Sequence, residues 1–340
     1  MSPALIDVSV LILFFNRPDQ LSKVFEQVRL ARPARLFLYQ DGPRGERDLA
    51  GIEACRRVVE QVDWECEVHK MYQEKNYGCD PSEYLSQKWA FSHVDKCIVL
   101  EDDDVPDLSF FPFCKELLDR YENDQRITLI SGFNHEEHTT DCGDDSYFFT
   151  SHFSIWGWAS WRRVVDQWDE HYTFLDDPTE LQMMQNLVRE RGFRDDFLLT
   201  CQRHRELGKA YYETIFESCM RLSSGLAIMP RDNLVNNLGV TTDSTHFAGT
   251  TATLPRAYRR IFTMGRHPMQ FPLHHPRHVI EHVAFRQRVY RILAWNHPWI
   301  KVGRSFEELW LNLRHGEFGI IRKAIGNRIR KWMNPSQCIH

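Results

Sequence analysis

Short apolar runs alternate with amphipathic stretches through the first 132 residues. The first run, Val8 to Phe15, is apolar apart from Ser9, as in a strand that is buried on both faces of a parallel sheet. Pro18 suits a first helical position and precedes apolar residues at helical spacing. Further strand-like runs occupy 35–39, 66–72, 97–100 and 127–132, and helical stretches lie between them. This alternation predicts an α/β fold with a mostly parallel sheet flanked by helices.

Length and cysteine usage narrow the class of protein. The chain has 340 residues, which is enough for one large domain with additions or for two domains. It contains no apolar run long enough to cross a bilayer, and its first twenty residues lack the features of a signal peptide. Nine scattered cysteines form no CxxC pair, which fits reduced thiols and a cytoplasmic protein.

The charge is distributed unevenly along the chain. Residues 256–340 contain 16 Lys and Arg but four Asp and Glu, although the whole chain has a net charge of -5. Basic and apolar residues interleave there, so this tail predicts a helical segment that binds an anionic membrane surface peripherally, at the inner face, or packs back on the preceding domain. No nucleic-acid recognition motif accompanies the basic charge, and no nucleic-acid partner is expected. The predicted units are 1–134, 135–255 and the tail, 256–340.

Four consecutive carboxylates, Glu101 to Asp104, directly follow the fourth strand-like run. In open parallel sheets, ligands bind beyond the carboxyl ends of the strands. Carboxylate oxygens are the usual ligands of Mg²⁺ and Mn²⁺. The alternative is a solvated acidic loop. The buried strand before the run and Pro106 after it restrain this loop, which favours the metal site.

Other candidate residues are weaker when each is taken alone. Arg17 and Asp41 also follow strand ends, where they either contact a nucleotide or form an ordinary turn. Trp156, Gly157 and Trp158 could line a wall against which a sugar ring stacks. Two further tryptophans, Trp161 and Trp168, are predicted to lie in the core.

Two more segments have alternative interpretations. The polar stretch 230–247, which ends near His246, is either a lid that orders over a ligand or a plain surface loop. His274, His278 and His282 have helical spacing, but Pro276 disfavours a helix there and no Cys or carboxylate completes a zinc pattern. We therefore expect no zinc at these histidines.

Taken in order, these motifs resemble the GT-A nucleotide-sugar glycosyltransferases, in particular the N-acetylglucosaminyltransferase I group and its bacterial relatives. The resemblance covers residues 6 to 247. It implies that Arg17 and Asp41 hold a uridine, that Asp103 binds the metal, that Asp102 faces the ribose and that Glu101 faces the donor sugar. Asp104 lies just outside the family's triplet and either assists or is only solvated.

The resemblance also implies roles in the second half of the chain. The Trp156–Gly157–Trp158 segment matches the lining of the donor-sugar and acceptor pocket, and the loop through Asp243, Thr245 and His246 matches one that orders over the nucleotide. Glu213 stands where bacterial relatives carry Asp, which implies that it is the general base. Alternatives for this role are Asp195, Asp196 and Glu217.

The resulting prediction is a metal-dependent inverting glycosyltransferase of bacterial polysaccharide biosynthesis. It would use Mn²⁺ or Mg²⁺ and transfer a sugar from a UDP-sugar, with UDP-GlcNAc or a related N-acetyl sugar favoured, to a hydroxyl of a glycan or lipid-linked acceptor. One alternative is a metal-dependent nucleotidyltransferase or phosphoesterase, which would need a second metal cluster or a Lys/Arg clamp that the sequence does not reveal. Another is a catalytically silent, membrane-associated binding protein of the same fold.

Overall fold

The structure is a computed structural model that describes residues 1–239 and 251–322. Its strands are β1 (Ile6–Phe14), β2 (Pro33–Gln40), β3 (Glu67–Tyr72), β4 (Lys96–Glu101), β5 (Asp104–Pro106), β6 (Ile127–Ser131), β7 (Tyr147–Thr150), β8 (Trp158–Trp161), β9 (Leu226–Pro230) and β10 (Val235–Asn237). Its α-helices are α1 (Pro18–Ala31), α2 (Glu46–Val59), α3 (Cys79–His93), α4 (Phe110–Arg120), α5 (Arg162–Val165), α6 (Pro178–Leu187), α7 (Arg191–Leu207), α8 (Tyr212–Leu222), α9 (Arg256–Thr263), α10 (Val283–Ile292) and α11 (Pro298–Arg314).

Eight strands of the described chain form one sheet in the order β3-β2-β1-β4-β8-β6-β9-β7. The first four strands are parallel to one another, and β6 is parallel to β9. β8 runs antiparallel to β4 and β6, and β7 runs antiparallel to β9. The predicted α/β class, with a mostly parallel sheet flanked by helices, is confirmed. A separate two-stranded ribbon pairs β5 with β10.

The sequence pattern explains the first half of this sheet. Residues 8–14 of β1 are buried throughout, because helices cover both faces of the sheet. Helix α1 begins at Pro18, whose missing N–H costs nothing at a first helical position, and it buries Leu21, Val24 and Val28 on one face. These contacts fix the end of β1 and the start of α1 relative to β4, which is the place where the carboxylate run emerges.

The tail of the chain packs on the sheet through α9 and α10. In α10, Phe285 and Val289 are buried against Phe148 of β7 and Met229 of β9. Ile261 of α9 belongs to a further small apolar cluster around Phe133. The sequence left two alternatives for the tail, binding to a membrane surface or packing on the preceding domain. Helices α9 and α10 show the second of these. The division into units at residues 134 and 255 stays a prediction.

Helix α11 differs, because its apolar side chains face solvent. Trp299, Phe306 and Trp310 are 84%, 68% and 56% exposed, and Val302 and Leu313 continue the same stripe. None of the described helices combines the length and apolar character that crossing a bilayer requires.

Candidate nucleotide and metal site

The candidate site is a cleft at the carboxyl ends of β1, β2 and β4. β1 lies between β2 and β4, so the strand order reverses at the β1–β4 boundary, the position at which open sheets bind ligands. The cleft has a volume of about 620 Å³. It is lined by residues that follow these strands and by the start of α3, namely Leu13–Arg17, Asp41, Arg44, Asn76, Gly78, Cys79, Ser82, Glu83, Glu101 and Asp102.

Arg17 connects the first strand end to the carboxylate run. Its guanidinium donates to Asp102 through Nε, at 3.3 Å, and through Nη2. Its Nη1 lies 2.9 Å from Oδ2 of Asp103. Asp102 also accepts a hydrogen bond from the backbone N–H of Phe15, at 3.4 Å. The structure therefore brings Arg17, Asp102 and Asp103 together, three residues that the sequence singled out separately.

Asp104 is not the solvated residue that was one of the two expectations for it. Only 1% of it is exposed, and it accepts hydrogen bonds from the Gly157 N–H at 2.9 Å and from Nδ2 of Asn237 at 3.0 Å. The same Asn237 amide lies 3.2 Å from Oδ1 of Asp103. Because β5 pairs with β10, Asp104 and Asn237 are register partners. The ribbon thus holds the end of the acidic run in place.

Burial of these carboxylates changes their acidity. It raises the pKa of Asp102 to about 6, against the opposing effect of Arg17 and with the help of the Asp103 charge. Burial and neighbouring negative charges raise the pKa values of Glu101 and Asp104 well above their ordinary range. Such crowding is unfavourable unless protons or a cation neutralise it. The electrostatics therefore favour binding of a cation at this strand end.

The donor set fits a hard divalent ion. The groups around Asp103 offer carboxylate and amide oxygens, the ligand type of Mg²⁺ and Mn²⁺. The backbone also approaches closely, since a Cβ placed on Gly239 would lie 2.7 Å from Oδ2 of Asp103 and 2.7 Å from Oδ1 of Asn237. A larger residue at 239 would fill the space beside the carboxylate. The role of Asp103 as the metal ligand stays a prediction.

Glu83 is a member of the site that the sequence did not indicate. It lies in α3, is 6% exposed, and accepts a hydrogen bond from the Cys79 thiol at 3.1 Å. Burial, together with the charge of Glu213, raises its pKa to about 8. No sequence motif marks Glu83, because the face of α3 that it occupies depends on how the helix packs. Asn237 was missed for a related reason, since its polar stretch was considered only as a possible lid.

Asp41 lies in the wall of the cleft and organises the loop before α3. It accepts hydrogen bonds from the N–H groups of Gly42, Tyr77 and Gly78, at 2.9 to 3.0 Å, and from Nδ2 of Asn76 at 2.8 Å. Both carboxylate oxygens therefore already have protein partners. Asp41 is placed in the cleft as expected, and its contact with a base stays a prediction.

The tryptophan segment does not form the expected aromatic wall. Trp158 is 1% exposed and lies in β8, where its ring is 5.2 Å from that of Phe216. Trp156 packs against Phe133, with ring centroids 4.7 Å apart. Gly157 instead contributes its N–H to Asp104 and adopts a φ of 62°, which favours glycine. The expected core positions of Trp161 and Trp168 are confirmed, since both are buried.

Glu213 lies in the first turn of α8 and is exposed at the side of the cleft. Its negative charge raises the pKa values of Glu83 and Glu101, so it faces the buried carboxylates. The alternative bases have other partners: Asp195 pairs with Arg194 and Glu217 pairs with Arg221.

Several other expectations concern residues away from the cleft. Asp196 lies 4.0 Å from the ammonium of Lys301. Asp243, Thr245 and His246 lie outside the described residues. The stretch 274–282 contains no helix, and His282 caps the start of α10. Among the described residues, the group of at least three His, Cys, Asp or Glu side chains whose ligand atoms lie within 4.8 Å of one another is a different one, formed by Glu137, His138 and His267.

Comparisons with known proteins give no family assignment. No family model matches the chain, and no curated protein matches it. Matching solved structures include a cytidylyltransferase from Leptospira borgpetersenii, with 11% identity and a TM-score of 0.29 over 48% of this chain and 63% of that one. They also include the inositol-1-phosphate CTP transferase from T. maritima, with 11% identity and a TM-score of 0.28 over 48% of this chain and 74% of that one.

These matches correct the predicted activity. The names of both proteins describe transfer of a nucleotidyl group, not of a sugar. On this comparison the prediction of a glycosyltransferase with a UDP-sugar donor and a glycan or lipid-linked acceptor is wrong. The chain covers 63% of the first matched structure and is matched over about half of its own length. We therefore base the function on the geometry of the cleft.

Proposed function

We propose that the chain is a metal-dependent nucleotidyltransferase that binds a nucleoside triphosphate in the cleft between β1 and β4. The observation that carries this proposal is the convergence of buried carboxylates at the strand switch point. Asp102, Asp103 and Asp104 are each at most 5% exposed, and Glu101 adjoins them. Among the described contacts of the acidic run, Arg17 supplies the ion pairs, so negative charge remains in excess there. A divalent ion bound at these carboxylates would neutralise that excess and could coordinate the phosphates of a nucleotide.

Two helix starts and two arginines at the cleft suit phosphate groups. Helices α1 and α3 both begin at the cleft, and helix N-termini present N–H groups and a partial positive charge to anions. Arg17 directly precedes α1. Arg44 also lines the cleft, with its guanidinium 4.9 Å from the ring centre of Phe15. We propose these two arginines as the clamp that the alternative requires. Arg44 also pairs with Asp48, to which it donates from Nε at 2.9 Å and from Nη2 at 2.7 Å.

The reaction follows from these positions. An oxygen of the acceptor attacks the α-phosphorus of the triphosphate, a new P–O bond forms, and the bond from the α-phosphorus to the bridging oxygen breaks to release pyrophosphate. A divalent ion held by Asp103 would neutralise charge on the phosphates. Arg17 donates hydrogen bonds to phosphate oxygens. Glu213 is the proposed general base, supported by its position beside the cleft.

The remaining site residues have roles in binding within this proposal. Asp102 orients Arg17 through the two guanidinium hydrogen bonds. Asp41 maintains the loop that forms one wall, and Glu101 accepts a hydrogen bond from the hydroxyl of Tyr212 at 3.4 Å. We propose that Asp41 and Glu101 bound the space for the nucleoside.

Ligand-induced thermal shift tests the binding step. The purified chain is titrated with ATP, CTP, GTP, UTP and UDP-GlcNAc, each with Mg²⁺ and with a chelator. We expect stabilisation by at least one nucleoside triphosphate in Mg²⁺, and its loss in chelator. Asp103→Asn should reduce the Mg²⁺-dependent affinity at least tenfold. Asp119→Asn, which alters a surface ion pair of α4, is the matched control and should retain it.

Turnover is then measured as pyrophosphate release with a panel of phosphorylated and hydroxyl acceptors. Stabilisation by UDP-GlcNAc alone, or triphosphate binding that is equal in chelator, would contradict the proposal. Binding without pyrophosphate release for any acceptor would favour a catalytically silent binding protein. Arg17→Gln tests whether Arg17 contacts the phosphates. The variant should weaken binding of the triphosphate more than binding of the free nucleoside.

We propose a cytoplasmic location, peripheral at a membrane face. The support is the exposed stripe of Trp299, Phe306 and Trp310 on α11, since aromatic side chains of this kind insert at bilayer interfaces. Flotation with phosphatidylglycerol vesicles tests it. Co-flotation should be lost in a Trp299→Ser/Phe306→Ser variant and kept in His315→Ala, and equal flotation of all three proteins would remove the stripe from the account.

A further inference from the structure

A second polar cluster lies where the loop after β6 meets the segments before β10 and after α9. It consists of Glu137, His138 and His267, none of which lines the cleft. Each of the three residues offers one possible ligand atom, and these atoms lie within 4.8 Å of one another. The cluster plays no part in the proposed nucleotidyl transfer.

The contacts within the cluster already resemble a coordination shell. Oε1 of Glu137 accepts a hydrogen bond from the Gly265 N–H at 2.9 Å and lies 3.2 Å from Nε2 of His267. The rings of His138 and His267 have centroids 4.1 Å apart. Zinc bonds to nitrogen and oxygen of about 2.0–2.1 Å place neighbouring tetrahedral ligands roughly 3.4 Å apart. The Glu137–His267 pair is close to that spacing at 3.2 Å, and the ligand atom of His138 lies within 4.8 Å of both.

A contact with the Asp232 carboxylate orients the ring of His138. Its Nδ1 lies 2.8 Å from Oδ1 of Asp232, and the other oxygen of that carboxylate is 3.2 Å from Nε of Arg231. If Asp232 accepts the Nδ1 proton, the lone pair of His138 lies on Nε2. A carboxylate that holds a ligating imidazole in this way is the usual outer partner of a metal-binding histidine.

The charge of the cluster also suits a cation. Glu137 supplies one carboxylate beside the two imidazoles. The nearest opposing charge is Arg260, whose Nη2 is 4.0 Å from Oε2 of Glu137. The same Nη2 donates to the Glu136 carbonyl at 3.2 Å, and the side chain is 63% exposed, so solvent screens its charge.

We infer that Glu137, His138 and His267 form a binding site for a divalent transition-metal ion of the zinc type, with water as the fourth ligand. Two imidazoles and one carboxylate favour such an ion over Mg²⁺ or Ca²⁺. The ion joins two parts of the chain, because Glu137 and His138 follow β6 and His267 follows α9. It therefore fastens the segment after α9 to the loop at the end of the sheet.

Titration calorimetry of the full chain with Zn²⁺, in excess Mg²⁺, measures the site. Excess Mg²⁺ competes for the carboxylates of the cleft, and the variants assign the Zn²⁺ signal to this cluster. We expect one tight equivalent in the wild type, a loss of affinity of tenfold or more in His138→Ala and His267→Gln, and no change in His315→Ala. His315 is an exposed histidine at the end of α11. Thermal unfolding in chelator confirms that each variant is folded.

X-ray absorption spectroscopy of the zinc-loaded wild type gives a readout that does not depend on variants. Two imidazoles with oxygen ligands and no sulfur support the inference. Sulfur ligation would assign the ion to the cysteines and overturn it. Absence of a tight equivalent in the wild type, or equal affinity in His138→Ala, would show that the cluster consists of ion pairs only.

Discussion

Replacement of Glu83 by Gln tests whether burying ionisable carboxylates in the cleft lowers the free energy of unfolding at neutral pH. Glu83 is 6% exposed in α3, and burial together with the Glu213 charge raises its pKa from 4.5 to about 8. Gln has nearly the same shape and keeps an oxygen that can accept from Cys79. The substitution therefore removes the titration and little else.

The magnitude follows from the shift in pKa. Because the pKa of Glu83 is higher in the folded protein, its contribution to stability is complete below about pH 4.5 and is lost as the pH rises to about 8. Each unit corresponds to about 1.4 kcal/mol, so the loss at pH 7 is on the order of 3 kcal/mol. Glu83→Gln does not titrate. It should match the wild type near pH 4.5 and exceed its free energy of unfolding by about 3 kcal/mol at pH 7.

Urea unfolding at pH 5, 6, 7 and 8, without divalent ions, measures this difference. Glu53→Gln on α2 is the control, since Glu53 is an exposed glutamate that pairs with Arg57 at the surface. It should keep the pH dependence of the wild type. Stability curves of Glu83→Gln and wild type that stay parallel from pH 5 to 8 would refute the reasoning, because they would show that Glu83 is not held protonated by its surroundings.

Three further perturbations have defined outcomes. Trp158→Ala empties a buried site in β8 and should lower the free energy of unfolding by about 3–5 kcal/mol, whereas Trp299→Ala on exposed α11 should change it by less than about 0.5 kcal/mol, both measured by urea unfolding. Gly157→Ala places a Cβ 2.8 Å from Val235 at a φ of 62° and should cost about 1–3 kcal/mol in the same assay, so a neutral result would mean that β10 moves aside. Cys79 is exposed as a residue, but burial of its thiol and the nearby carboxylates raise the pKa of that thiol. Iodoacetamide at pH 8 should therefore label Cys79 more slowly than a model thiol, as measured by mass spectrometry. Equal labelling rates would contradict this.

The first half of the fold could be predicted from the sequence because its signals are local. Buried strands of a parallel sheet are continuously apolar, and the start of α1 carries a proline, so β1 to β4 and their helices follow from short stretches of chain. The position of β8 could not be predicted in this way. It enters the sheet antiparallel between β4 and β6, and its pairing partners lie about sixty and thirty residues away in sequence.

The candidate site could be predicted only in part, for the same reason. The acidic run and Arg17 stand at strand ends, and the topology alone brings strand ends together. Glu83 and Asn237 required knowledge of which helix face and which ribbon strand face the cleft. The tryptophan segment was misjudged because a Trp–Gly–Trp pattern is equally compatible with a ligand surface and with a buried strand, and the pairing of β8 decides between them. The activity depended on a resemblance of motifs, which does not distinguish transfer of a sugar from transfer of a nucleotide.

The segment 232–237, whose last three residues form β10, runs between the two polar sites. At one end Asp232 holds His138, and at the other Asn237 donates to Asp103 and Asp104. Five residue steps span at most roughly 17 Å, so one short segment contacts both candidate metal sites, one near each end. A shift of this segment along its axis at one end must be accommodated at the other. Any energetic coupling is reciprocal: an ion that changes nucleotide affinity from the histidine side has its own affinity changed by the nucleotide by the same factor.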